Sequence, residues 1–263
     1  ITVQQQFEYV QAYWQYAPPE VRRNSSFIGF WIRMRGGNDD PQYYIIDGAE
    51  NLPAAMSWRH SARFVNWLTN DKASEQSAFE NGAYDTSTFG VNDDWTLTDQ
   101  AEHNPDAKFW LPTMDEYVKG MFWDPSKNDG EGGYWRYPHS KDVPPIPGLP
   151  SEGGETNAGI DRGVPYMDVG SYPWAASPWG LLDGSGGERE WVETLTSDSS
   201  SRGAHGTFQY QRMYDIWDRI DRWDASDPNF LNGIRIASVV PSPGSVMVLI
   251  SSFIFYHRRR RFK

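Results

Sequence analysis

Apolar side chains at helical spacing predict three helices in the first half of the chain. The first lies within residues 1–16 and has Thr2 as its N-cap. Its apolar positions are Val3, Phe7, Val10 and Trp14. The second runs from about Ser57 to Thr69, with Ser57 as its cap and Trp67 on its inner face. Its apolar stripe consists of Trp58, Ala62, Val65 and Leu68.

The third predicted helix runs from Met114 to Met121 and follows Pro112 and Thr113. Two acidic residues occupy its first turn, where the helix dipole favours negative charge. We expect this helix to cover the core beside the second one.

Other stretches predict strands and loops. Residues 27–34 alternate well enough for a strand that ends at Gly36 and Gly37. Residues 70–108 are polar and predict an excursion within the same domain. Residues 124–167 contain eight Gly and seven Pro, so we expect long ordered loops on a rigid base.

A second amphipathic pattern lies late in the chain. Met213, Ile216, Trp217, Ile220 and Trp223 have helical spacing, and an Asp follows at every third position from 215 to 224. An exposed acidic helix face is the ordinary interpretation. An acidic binding ridge is the alternative.

Composition narrows the fold and the partners. The chain has 263 residues, 38% of them apolar, which suits one large domain. Aromatic residues make up 15%, yet the mean hydropathy is −0.68, so the core must depend on large rings carried by loops. This favours a loop-rich α+β fold. A net charge of −11 argues against nucleic acid as a partner.

Several kinds of catalytic centre have no support in the sequence. There is no cysteine, which excludes disulfides, a thiolate nucleophile and Cys-ligated zinc. The five histidines show no metal-binding spacing, and neither a phosphate-binding Gly-rich loop nor a Gly-x-Ser-x-Gly elbow is present.

The stretch most suggestive of a site is the acidic, Gly-rich segment 178–193. Gly184, Gly186 and Gly187 allow backbone angles that other residues avoid, so the loop can direct several carbonyls at one point. Its acidic residues at positions 183, 188 and 190 lie close enough along the chain to share a calcium ion, which takes six to eight oxygen ligands. The alternative is an acidic surface turn.

This segment resembles a signature of the formylglycine-generating-enzyme family, the sulfatase-modifying-factor domain. The signature reads G-L-x-D/N-x-x-G-N-x-W-E-W, and here it stands as Gly180-Leu181-Leu182-Asp183-Gly184-Ser185-Gly186-Gly187-Glu188-Arg189-Glu190-Trp191. Gly187 replaces the usual Asn. Four further stretches resemble other family motifs in the family's order, namely residues 53–68, 109–117, 168–172 and 232–238.

The resemblance implies a C-type-lectin-like fold of the formylglycine-generating-enzyme type. It also implies one structural calcium, bound by Asp183, the carbonyls near Gly186 and Glu188, and Glu190. A second calcium near Asn157 matches poorly and is left out of the prediction.

The family's oxidase chemistry uses copper on two cysteines that follow an Arg-Gly-Gly-Ser motif. That motif here has become Arg202-Gly203-Ala204-His205-Gly206, and no cysteine follows it. Because Cu(I) needs soft thiolate ligands, the sequence contradicts this route, and we expect no copper.

The end of the chain has a different character. A Val-Pro-Ser-Pro stretch leads into the mostly apolar residues 245–256 and then into Arg258 to Arg261. It resembles a PEP-CTERM sorting signal of exported bacterial proteins. The resemblance implies transient anchoring in a membrane, cleavage by a sorting protease and release to the cell surface. A short anchor that is never cut is the alternative, and we expect the domain to fold without Pro241 to Lys263.

The sequence therefore predicts a formylglycine-generating-enzyme-like domain over residues 1–239 and a sorting or anchor segment over 240–263. Three functions stay open. One is a non-catalytic surface module that binds a saccharide or protein ligand, favoured by the many Trp and Tyr residues. Another is a family enzyme with a rebuilt, cysteine-free site. The last is a sulfatase-modifying partner that binds sulfatase-type substrates without oxidising them.

Overall fold

The computed structural model describes residues 1–160, 166–208, 221–223 and 231–239. Five α-helices lie in this part of the chain: α1 (Val3–Tyr13), α2 (Ser25–Ile28), α3 (Trp58–Thr69), α4 (Ser77–Glu80) and α5 (Met114–Phe122). Short 3-10 turns occur at Thr86–Thr88, Asn128–Gly130 and Pro150–Glu152.

The strands are short and pair antiparallel. Their bounds are β1 (Ile32–Arg35), β2 (Gln42–Ile45), β3 (Phe109–Trp110), β4 (Trp123–Asp124), β5 (Gly133–Tyr134), β6 (Glu190–Leu195), β7 (Arg202–His205), β8 (Asp221–Trp223) and β9 (Ala237–Ser238). β6, β7 and β8 form a three-stranded sheet in that order. The other pairs are β1 with β2, β3 with β9, and β4 with β5.

The three predicted helices are confirmed, and each begins at a side-chain cap. Thr2 forms a capping box with Gln5 at the start of α1, and Thr113 forms one with Glu116 at the start of α5. Ser57 accepts from the backbone N–H of His60 at the start of α3. These caps satisfy backbone donors that have no partner inside the helix.

The inward face of α1 differs from the predicted stripe. Val3 and Val10 are buried as expected, but Phe7 and Trp14 are only half-buried. Gln6, Tyr9 and Tyr13 are buried in their place. Burial of Tyr9 leaves its hydroxyl with a hydrogen-bond partner, because the ring nitrogen Nδ1 of His60 lies 3.0 Å away.

The predicted strand over residues 27–34 is wrong in its first half. The Asn24 side chain accepts from the N–H of Ser26 at 2.9 Å and caps the single helical turn α2. Gly29, at φ 67°, then turns the chain, and the strand begins only at Ile32.

The predicted helix over residues 213–224 is also wrong where it can be checked. Residues 221–223 form strand β8, which pairs with β7 from Arg202 to Ala204. The remainder of that pattern lies outside the described residues.

The hydrophobic core lies between α1, α3 and the β6–β7 sheet. Trp58 and Trp191 are fully buried in it, and each donates an indole N–H across the interface. Trp58 Nε1 donates to the carbonyl of Val192 at 3.1 Å, and Trp191 Nε1 to that of Met56 at 2.8 Å. These two bonds attach β6 to the start of α3 and so hold the loop that precedes β6.

The described residues form a loop-rich α+β fold with few regular elements, which confirms the predicted class. Within these residues no helix combines the length and the hydropathy that a membrane span requires. The predicted sorting segment, 240–263, lies outside the described part of the chain.

Candidate functional site

The acidic Gly-rich loop runs directly into β6, whose first residue is Glu190. The loop adopts the left-handed backbone conformation at three positions, with φ values of 60° at Asp183, 84° at Gly186 and 68° at Gly187. Gly184 has a different role from the one predicted. A Cβ at this position would lie 2.7 Å from Pro138 Cβ and 3.0 Å from the Met121 sulfur. Glycine is therefore required because these side chains pack closely on the backbone, and not because of the backbone angle.

A neighbouring segment holds the loop in place. The N–H of Gly187 donates to the side-chain oxygen of Asn157 at 2.7 Å, and the Thr156 hydroxyl donates to the carbonyl of Ser185 at 2.9 Å. A Cβ on Gly186 would overlap both the Asn157 and the Thr156 side chains. The loop therefore packs on residues 156–157 too closely for any side chain at position 186.

Two predicted ligand carboxylates already accept hydrogen bonds from protein donors. Asp183 Oδ2 accepts from the N–H of Gly170 at 2.7 Å. Glu190 Oε2 accepts from Nε of Arg235 at 2.8 Å, in a pair that is mostly shielded from solvent. Arg235 Nη2 also donates to the carbonyl of Leu182 at 2.9 Å, which ties β6, the loop and the segment before β9 together.

These residues surround a cavity of about 270 Å³. Its charged lining consists of four acids and two cationic groups, namely Asp168, Asp183, Glu188, Glu190, Arg235 and the terminal amino group of Ile1. Its apolar lining consists of Pro53, Ala54, Met167, Val169, Leu182, Ile234 and Ile236. The cavity thus combines aliphatic walls with an excess of acidic side chains.

Glu188 differs from the exposed Asp168 in being buried. The residue is 9% exposed, and no hydrogen bond or ion pair to its carboxyl is present among the described residues. Gly233 packs so closely that an added Cβ would meet Glu188 Cβ at 3.1 Å. Burial without a hydrogen-bond donor disfavours the charged form of this carboxyl.

Burial controls the electrostatics of the cavity. It raises the pKa of the Glu188 carboxyl to about 8, against a smaller opposing effect of the Arg189 charge. It also raises the pKa of Asp183, although the Gly170 N–H opposes the shift. Burial disfavours the charge of Arg235, but Glu190 and Tyr117 outweigh it, so the pKa of Arg235 is raised.

The structure brings all four predicted calcium residues, Asp183, Gly186, Glu188 and Glu190, to one cavity. The acids at positions 183 and 190 accept hydrogen bonds from protein donors, and Glu188, predicted to bind through its carbonyl, is also a lining residue. In the described ranges no group of three or more His, Cys, Asp or Glu side chains is arranged to hold a metal. The predicted calcium set uses only two such side chains, so calcium stays a prediction.

The stretch that resembles the copper-site motif has a structural role. Arg202 is completely buried, with its guanidinium 3.8 Å from the ring centre of Trp58, and it donates to the carbonyls of Glu193, Ala101 and Gln100. Burial lowers its pKa to about 10. This side chain supports the sheet and lies outside the lining of the cavity.

Sequence reasoning missed two members of the site. Arg235 lies in the motif-like stretch 232–238, and its position as a cation between Ile234 and Ile236 is the signal that could have identified it. Asn157 was considered for a second calcium, whereas its side-chain oxygen holds the Gly187 N–H.

Exposed aromatic rings lie near the cavity. Tyr172 lines it, and its ring meets that of Trp174 edge-on, with the centroids 6.5 Å apart. About half of the surface of Trp174 and of Trp179 is exposed. These rings offer flat apolar surfaces to a bound molecule.

Comparisons with known proteins give little further information. No family model matches the chain, and no curated protein sequence matches it significantly. Among solved structures, one described as the crystal structure of CarF is similar to this chain, with 18% identity over 88% of this chain and 82% of the other and a TM-score of 0.44.

Proposed function

We propose that the chain is a formylglycine-generating-enzyme-like domain of C-type-lectin-like fold that acts as a non-catalytic binding module. Four of the five stretches that resemble family motifs contribute residues to one cavity, for example Ala54, Val169, Asp183 and Ile234. The remaining stretch supplies β3, which pairs with β9. Four motifs scattered over the sequence thus meet around one cavity, which supports the family resemblance.

The observation that carries the binding proposal is the cavity itself, which combines aliphatic walls with charged groups. Its volume is just under the roughly 300–1,000 Å³ typical of pockets for small molecules, so it suits a small molecule or one side chain of a protein ligand. Trp174 and Tyr172 extend the contact surface beside it.

A turnover assay separates a binding module from an oxidase. The protein, incubated with copper and O₂, is given a sulfatase-derived cysteine peptide, and aldehyde formation is measured. We expect none, because the chain has no thiolate to hold Cu(I). Formation of the aldehyde would contradict the proposal.

A blocking variant tests whether the cavity is the binding site. Val169 lines the cavity and is 41% exposed, so Val169→Trp is expected to obstruct the entrance without disturbing the core. Melting temperatures are compared with pentane-1,5-diamine, D-glucose or glutarate added. At least one compound should stabilise the unmodified protein and fail to stabilise the variant. No stabilisation by any of the three would count against the binding function.

One observation favours a second candidate, the family enzyme with a rebuilt site. A carboxyl with a pKa of about 8 is protonated at neutral pH and can serve as a general acid. Release of product from a cleavable ligand, lost in Glu188→Gln, would favour this enzyme over the binding module.

We further propose that the domain is exported and held transiently at a membrane through residues 240–263, with the cell surface as its destination. The resemblance of that segment to a sorting signal supports this proposal. Fractionation of cells that express the chain with and without these residues tests it, and an identical distribution would contradict it.

A further inference from the structure

We propose that this protein associates with itself through two different exposed surfaces, the turn 91–97 of one copy and the outer face of the β1–β2 hairpin of another. Neither surface lines the cavity, so failure of this contact would leave the proposed binding function standing. The first surface is built around Trp95. At 79% exposed, it exceeds every other large hydrophobic residue in the described part of the chain.

The turn holds Trp95 in a fixed position. Val91 and Leu97 form an antiparallel bridge, and the N–H of Asn92 donates to the carbonyl of Thr96 at 2.8 Å. Trp95 itself has a φ of 67°, a left-handed value that bulky residues seldom adopt. A ring displayed on an ordered turn loses little freedom when a partner covers it, and Trp is among the residues that dominate binding at protein interfaces.

Negative charge flanks the ring. Asp93 and Asp94 directly precede Trp95, and both are exposed. The Asp94 carboxylate accepts from the N–H and the hydroxyl of Thr96, at 3.1 and 2.6 Å. Neither acid is paired with a cation among the described residues. The surface that would complement this turn carries positive charge beside aromatic side chains.

The outer face of the β1–β2 hairpin has that chemistry. Arg33 and Arg35 are exposed on β1, and Tyr44, opposite Arg33 on β2, is 37% exposed. The Arg35 guanidinium lies 4.5 Å from the ring centre of Tyr44. Arg33 donates to the carbonyls of Phe30 and Ile32. In the described ranges neither arginine is paired with a carboxylate.

The charge of the whole chain makes this face an exception. The net charge is −11, and the hairpin turn itself carries the exposed Asp39 and Asp40, neither of which pairs with these arginines. A second copy of the chain supplies what the face lacks. Its Asp93 and Asp94 offer carboxylates to the guanidinium groups, and the indole between the two chains offers a ring for an arginine to cover.

General repulsion between two acidic chains opposes the contact less than it seems. At about 0.1 M salt, charges separated by more than roughly 10 Å are largely screened, whereas pairs in contact are screened less. Because the two surfaces differ, each dimer keeps one free surface of either kind, and association can continue beyond the dimer.

Sedimentation velocity of the full chain at about 0.1 M salt, over a hundredfold range of protein concentration, tests the inference. We expect association that increases with concentration. Asp93→Lys combined with Asp94→Lys should weaken it at least tenfold, although this change reduces the net negative charge and with it the general repulsion. The control, Glu102→Lys combined with Asp106→Lys, makes the same charge change at exposed positions outside both surfaces and should not weaken association.

Arg33→Glu combined with Arg35→Glu should also weaken association at least tenfold. An equimolar mixture of this variant with the lysine variant of the turn should associate again, because the unmodified turn of one protein meets the unmodified hairpin of the other. Circular dichroism establishes that each variant is folded. If a charge variant does not fold, Trp95→Ala takes its place, and it should weaken association at least tenfold.

A chain that stays monomeric over the whole range of concentration would overturn the inference. So would association that the variants of the turn and the hairpin leave undiminished, or a mixture of folded variants that fails to associate. Undiminished association of Trp95→Ala would equally overturn it.

Discussion

Gly186 is the residue at which backbone angle and close packing act together. Its φ of 84° and its contact with Asn157 both require glycine. Gly186→Ala should therefore lose about 1–2 kcal/mol from the left-handed conformation and about 1–3 kcal/mol more from overpacking. The free energy of unfolding in urea measures this loss.

Gly180→Ala is the matched control for that change. Gly180 has nearly the same φ, 79°, but a Cβ there would have no atom within 4 Å. Gly180→Ala should lose only the about 1–2 kcal/mol of unfolding free energy that comes from the left-handed conformation. Equal losses for the two variants would mean that residues 156–157 do not press on the loop.

Glu188 should make the stability of the fold depend on pH. Its pKa is about 8 in the folded protein against 4.5 ordinarily, so the folded state holds its proton more tightly than the unfolded state. The contribution of this group is fully present below pH 4.5 and is lost as pH rises through 8, a loss on the order of 4 kcal/mol. Denaturant unfolding from pH 5 to pH 9 in EGTA measures it.

Glu188→Gln should remove this part of the pH dependence. The other ionisable groups of the cavity are present in both proteins, so the difference between the two curves isolates Glu188. They are Asp168, Asp183, Glu190, Arg235 and the amino group of Ile1. Parallel curves for the variant and the unmodified protein would contradict burial of an ionisable carboxyl.

Helix α3 contributes several large buried side chains to the core. Trp67 is buried in it, and its ring stacks on Phe79 at 6.0 Å, which confirms the predicted face of this helix. Trp67→Ala should lose about 3–5 kcal/mol of unfolding free energy, as expected for a buried aromatic. Trp95→Ala, at a position that is 79% exposed, should change stability by less than about 0.5 kcal/mol. A loss below 1 kcal/mol at Trp67 would contradict its burial.

The sequence predicted the three longer helices correctly but not the strands, because helix signals are local and strand pairing is not. α1, α3 and α5 were foreseen because their caps and apolar faces are local features of ten or so residues. The strand predicted over 27–34 failed because the cap at Asn24 and the turn at Gly29 outweigh the alternation of side chains. The β3–β9 pairing could not be predicted from a local pattern, because it joins residues more than 120 positions apart.

The candidate site shows the same division. The loop from 180 to 190 was recognisable because Gly and acidic residues alternate within one short stretch. The partners Arg235 and Asn157 reach it only through the tertiary fold. That Glu188 would be buried and unpaired could not be foreseen, since burial depends on Gly233 and its neighbours.

At the scale of the whole molecule, calcium is expected to raise stability if the loop binds it as the family resemblance implies. Free Ca²⁺ at a hundredfold above its dissociation constant would add about 2.7 kcal/mol. Melting curves in EGTA and in millimolar Ca²⁺ measure the effect, with Asp183→Ala and Glu190→Gln as variants that should lose it. Equal melting temperatures of the unmodified protein in both buffers would mean that the loop is a turn without a metal.

The central claim is that the cavity is where this protein binds its ligand. Two-dimensional ¹H–¹⁵N NMR of the full chain during titration with pentane-1,5-diamine, D-glucose or glutarate tests it most directly. The account predicts that at least one compound shifts the amides of the cavity lining, such as those of Ala54, Gly186 and Ile234, and that these shifts disappear in Val169→Trp. Shifts confined to exposed acidic loops such as residues 93–94, or an unchanged spectrum, would contradict it.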